Sequence, residues 1–142
     1  MVFDLQRFVD AQHPVYAQVV RELSAGRKQS HWMWFVFPQM AGLGESARSQ
    51  FYAIASLDEA RAYLAHTLLG PRLMECTALV LDARDKTAEA IFGGIDARKL
   101  QSSMTLFGRA AHEPGPCRAV LERFYGGEED RATLGLLGLL SS

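Results

Sequence analysis

Cysteine is nearly absent from the sequence. The 142-residue chain has two, Cys76 and Cys117, 41 positions apart, with no CxxC pair around either. That excludes a disulfide-stapled secreted scaffold and a cysteine-built metal centre, and makes a reducing cytoplasm the expected compartment. Each thiol is expected to be a small buried hydrophobe. Long apolar runs are missing as well. The longest, Trp32 to Phe37, has six residues, where a membrane span needs about 20. The opening stretch MVFDLQRFVDAQ carries Asp4 and Asp10 and has no unbroken apolar core, unlike a signal peptide. Charge of one sign is not in excess: 15 Lys and Arg stand against 16 Asp and Glu, for a net charge of −1. General nucleic-acid binding, which needs a basic face, is therefore not expected. β-Branched residues are scarce, with 8 Val and 3 Ile beside 19 Ala and 18 Leu. That ratio favours helix, because Ala and Leu lose little side-chain freedom on entering one.

What is present is ordinary globular material, 49% hydrophobic and 22% charged. A chain of this length buries roughly 68–70% of its unfolded surface and needs no staple. It reads as a single all-α domain over residues 1–142, compact and irregular, with seven or eight helices and no substantial sheet. Asp4 is placed to cap a first helix carrying Leu5, Phe8 and Val9. Pro14 precedes a second with Val15, Val19, Val20 and Leu23, stopped at Gly26. Ser56-Leu57-Asp58-Glu59 is a capping box. Pro71 opens a helix through Leu73, Thr77 and Leu81. Thr87 caps a brief one that ends at Gly93-Gly94, and Asp96 is expected to cap a longer one ending near Gly108. Pro116 starts a helix closed by Gly126-Gly127, and a last apolar segment runs from Asp130 to about Leu140.

Two segments carry chemistry. In Gly26-Arg27-Lys28-Gln29-Ser30-His31-Trp32-Met33-Trp34-Phe35-Val36-Phe37-Pro38-Gln39, two cations, a histidine and both tryptophans fall within eight residues. Ser30 is placed to cap a short helix, Pro38 must end it, and Ser46 caps another bearing Arg48. Cations, a flat apolar platform and a group that titrates near neutrality are what an anion or nucleotide site requires. The same aromatics also suit a core. In the second segment, Gly93-Gly94 precedes a helix with Asp96, Lys99, Ser102, Ser103 and Thr105. A glycine pair before a helix start allows an anion close to exposed amides, although the P-loop spacing is missing. Ser102, Ser103 and Thr105 suit either an internal polar contact or a tight helix crossing. His13, His31, His66 and His112 lie in different segments without ligand spacing, so no metal site and no cofactor are implied.

Over these residues the chain resembles a bacterial family catalogued as domain of unknown function 1810. The resemblance is carried by Asp4-Leu5-Gln6-Arg7-Phe8, by the stretch from Gly26 to Gln39 with its His-Trp-Met-Trp core, and by Tyr52-Ala53-Ile54 ahead of Leu57-Asp58-Glu59-Ala60. Ile91-Phe92-Gly93, Asp96, Lys99, Leu100, Ser102 and Phe107 complete it. It implies a compact all-helical domain, and because the family has no assigned activity it leaves the function open. Thr67 follows His66 where relatives often have proline, a departure that touches one turn. Some relatives carry the label calpastatin, an inhibitor of the long, polar, disordered kind that does not suit this globular composition.

Two functions are compatible with these residues. One is an enzyme or binding protein for a small phosphate-containing or nucleotide-like ligand. In it Arg27, Lys28, Lys99 and Ser102 hold the ligand, Trp32 or Trp34 stacks a base, and His31 or Asp96 moves a proton. The other is a protein–protein adaptor in which the same aromatics and arginines are hot spots. Neither involves a membrane, and the oligomeric state is not legible in one chain.

Overall fold

The computed structural model describes residues 3–140; residues 1, 2, 141 and 142, which the single-domain expectation includes, lie outside the described residues. Among the described residues ten helices follow one another: α1 (Gln6–Gln12), α2 (Tyr16–Ser24), α3 (Met33–Val36), α4 (Ala47–Phe51), α5 (Leu57–Ala65), α6 (Leu69–Asp82), α7 (Ala88–Phe92), α8 (Gly94–Ala110), α9 (Gly115–Tyr125) and α10 (Arg131–Leu136). No strand occurs among the described residues, only an isolated parallel bridge between Met40 and Ile54. The class is as expected, but the expected seven or eight helices are ten. Three are one-turn pieces: α3, α4 and α7 have four or five residues each. Such pieces do not nucleate alone and exist through packing, and a short helix is expected from the sequence at each of the three.

Caps explain where several helices start. Ser46 Oγ accepts from Ser49 N, Thr87 Oγ1 from Ala90 N, and Asp130 Oδ2 from Thr133 N, each at 3.1 Å. The capping box at Ser56 forms with one change. Ser56 Oγ accepts from Glu59 N, while Glu59 reaches past Ser56 to accept from Ala55 N at 2.7 Å. Its other oxygen pairs with Arg7 at 3.2 Å. Arg7 also donates to the carbonyls of Phe51 and Ala53, which ties α1 to the segment between α4 and α5.

Other expected boundaries move. Leu5, not Asp4, precedes α1, with no side-chain cap. Ser30 does not cap α3; Trp32 holds that position. Asp96 is the third residue of α8 and not its cap, a position taken by Gly93 at φ +81°. Gly108 does not end α8, which continues to Ala110. The last segment stops at Leu136, and Gly138 at φ +74° turns the chain out of helix. α6 starts at Leu69, two residues before Pro71, because the His66 ring caps it: Nδ1 accepts from Leu68 N and Leu69 N at 3.1 and 3.3 Å.

α8 is the longest helix, and α5, α7, α9 and α10 all pack on it. Residues 102–107 are buried without interruption, as expected of a helix enclosed on all sides. The polar residues in that stretch serve packing. Thr105 donates to Gln101 O and accepts from Asp130 N, both at 2.8 Å. Ser103 Oγ is buried without a partner. One hydrophobic cluster runs from Phe8 to Leu121 and includes both cysteines. Burial pushes each thiol up to about 12, so neither is a nucleophile at neutral pH.

Candidate functional site

The carboxylate of Glu22, on the last turn of α2, organises the segment from Arg27 to Trp32. It is buried and accepts from Gln29 N at 2.7 Å, Ser30 N at 3.0 Å, Trp32 Nε1 at 3.0 Å and Gln18 Nε2 at 2.7 Å, and from the Ser30 hydroxyl. Burial pushes this carboxyl up, but the donors from Ser30, Gln29 and Gln18 outweigh that and hold it at about 2. Lys28 N donates to Ile91 O at 2.8 Å, which fastens the segment to α7. The result is a cleft of about 350 Å³ between the segment and the α7–α8 junction, lined by Lys28, His31, Met33, Trp34, Phe92, Gly93, Gly94, Ile95 and Asp96. That volume falls at the small end of the range for small-molecule sites.

Within the cleft the charges are arranged unequally. Lys28 Nζ meets Asp96 Oδ2 at 2.8 Å and Ser30 O at 2.6 Å, and lies 5.0 Å from the centre of the Trp32 ring. Its side chain is only 7% exposed. Lys99 Nζ stands 3.6 Å from Asp96 Oδ1 and 4.9 Å from the Trp34 ring centre, and the Arg48 guanidinium lies over the same ring at 5.2 Å. Two cations, Lys28 and Lys99, thus face the Asp96 carboxylate, and two, Lys99 and Arg48, lie over the half-buried Trp34 indole. His31 is exposed at the rim. Gly93 and Gly94 leave the start of α8 open, since a Cβ on either would meet nothing within 4 Å. No side chain caps that end, and its first amides are free of intrahelical partners.

The structure brings together His31, Lys28, Trp34 and Asp96 in the lining, with Lys99 behind Asp96. It does not bring in the other three expected residues. Arg27 opens onto a different cleft with Gln18, Arg21, Glu22 and Lys86, because the backbone reverses at Gly26 (φ +69°) and successive residues face apart. Trp32 is core: it is 1% exposed, its indole N–H is held by Glu22, and it packs against Phe37 and Phe92. Ser102 is buried one helical turn or more from the mouth and donates to Arg98 O and Asp130 Oδ2, so it docks α10. Two roles change as well. Trp34 already has Lys99 and Arg48 near its ring, so a flat ligand there shares the indole with two cations. Lys28 gives two of its three donors to Asp96 and Ser30 O. Arg48, Phe92 and Met33 escaped the sequence reading; Arg48 lies 14 positions from Trp34 and carries no pattern linking the two. Among the described residues no group of three or more His, Cys, Asp or Glu side chains is placed to hold a metal ion, and no helix is long and apolar enough to cross a membrane.

Known proteins place this geometry. The chain is similar to the conserved hypothetical protein Rv1873 from Mycobacterium tuberculosis, whose crystal structure has a TM-score of 0.95 to it. The two share 57% identity, over 97% of this chain and 99% of that one. No curated protein matches. A family model described as "Protein of unknown function (DUF1810)" matches residues 2–137. The chain belongs to the DUF1810 family.

Proposed function

We infer that the chain binds a small phosphate-bearing or nucleotide-like ligand in the cleft between the Lys28–Trp34 segment and the start of α8. One observation carries this reading: Lys28 is paired with Asp96, while Lys99 and Arg48 both lie over the Trp34 ring, so these four charged side chains carry a net charge of +2 beside an apolar floor of Met33, Trp34 and Phe92. An anion is attracted to that rim, and a flat body fits the floor. Phosphate belongs toward Lys99, Arg48 and the open α8 amides, since Lys28 is already engaged. His31 and Asp96 line the same cleft and are the groups that would move a proton if the bound molecule reacts.

The test is a thermal-shift screen of the full chain against nucleotides, dinucleotides and sugar phosphates, with His31→Ala and Lys99→Ala alongside. A ligand that binds only the folded state stabilises it by about 2.7 kcal/mol at 100-fold excess over its dissociation constant. The expected result is a concentration-dependent rise in Tm that both variants reduce. A screen without any shift, or a shift that both variants retain in full, contradicts the reading and moves attention to a protein partner.

A further inference from the structure

We propose that Asp96 is the residue that selects the ligand, that it reads a hydroxyl donor such as those of a ribose, and that Lys28 is a positioning residue for it. The inference rests on the ligand-binding reading above and deepens it.

The argument begins with donors and acceptors. A carboxylate only accepts, with about four lone-pair sites on its two oxygens. On Asp96, Lys28 takes one site on Oδ2 at 2.8 Å, and Lys99 stands at 3.6 Å from Oδ1. Sites remain open on both oxygens, and the side chain is 20% exposed where it lines the cleft. A phosphate oxygen against those sites is repelled, so the group that meets Asp96 must donate. Lys28 is differently situated. Two of its three donors are used by Asp96 and Ser30 O, the ammonium lies over Trp32, and 7% of the side chain reaches solvent. A lysine meant to grip a ligand phosphate is not buried behind a carboxylate that neutralises it. Its evident effect is to hold Asp96 in one orientation beside the apolar floor. A molecule that places phosphate at Lys99 and Arg48 and hydroxyls at Asp96 is a phosphorylated sugar, and Trp34 with Phe92 accommodates a base attached to it.

Isothermal titration of the full chain with the four ribonucleoside 5′-monophosphates, their 2′,3′-dideoxy counterparts and ribose 5-phosphate separates the cases. The expected result is that at least one ribonucleotide binds and that its dideoxy analogue binds roughly tenfold more weakly or worse, the effect of losing hydrogen bonds to a charged acceptor. Asp96→Ala should bring the two affinities together. Lys28→Met should narrow the difference by weakening the ribonucleotide more than its dideoxy counterpart, whereas a phosphate-gripping lysine would weaken both alike. Ribose 5-phosphate binding as tightly as the nucleotides identifies the sugar phosphate alone as sufficient. Equal affinity of ribo and dideoxy forms overturns the assignment of Asp96 and leaves the cleft reading standing. Absence of binding by every compound overturns both.

Discussion

At the residue scale, two identical side chains two positions apart have opposite fates. Trp32 is fixed by Glu22 and enclosed by Phe37 and Phe92, while Trp34 faces the cleft between Arg48 and Lys99. Residue type alone gave no means of telling them apart. What separates them is a carboxylate ten positions upstream, whose side chain reads in sequence as one more polar position of an amphipathic helix. Gly70 shows a constraint of another kind. A Cβ there would lie 2.1 Å from Leu64 O, because α6 begins directly against the end of α5. Gly70→Ala must push the two helices apart, and chemical denaturation should show a loss of about 1–3 kcal/mol, the usual cost of overpacking. A variant as stable as the parent would mean that this crossing is looser than described.

At the scale of elements, α2 matters for its Glu22 more than for its apolar face. That one carboxylate satisfies two backbone amides, a hydroxyl and an indole, and so shapes the loop that forms one wall of the cleft. Its pKa in the folded chain is about 2 against an ordinary 4.5, so the unfolded chain binds more protons in that interval. The stability contributed by Glu22 is therefore complete above 4.5 and is lost as pH falls toward about 2. Thermal melts across this range should fall more steeply for the parent than for Glu22→Gln, which has no such proton to take up. Parallel curves would show that Glu22 is not the group responsible. α8 supplies the other wall. Its glycine pair was legible in sequence as an open helix start; its true first residue was not, because Asp96 resembles a cap while its carboxylate is drawn to Lys28, 68 positions away.

At the scale of the molecule, helix class and most helix positions were legible, since the spacing of apolar residues and the caps at Ser46, Ser56, Thr87 and Asp130 are local signals. The start of α8 and the site's division of labour were not, because both depend on which distant segments meet. His31, Lys28, Trp34, Asp96 and Lys99 do converge, whereas Arg27, Trp32 and Ser102 serve the fold or face elsewhere. The contrast between the two tryptophans makes the central claim measurable. In a proton–nitrogen correlation spectrum, the two indole N–H signals are assigned with Trp34→Phe, and a ribonucleotide that stabilises the chain is titrated in. The Trp34 signal should move progressively to saturation while that of Trp32, held by buried Glu22, stays within a small fraction of that change. Movement of Trp32 alone, or of neither signal at saturating ligand, would contradict a binding site in this cleft.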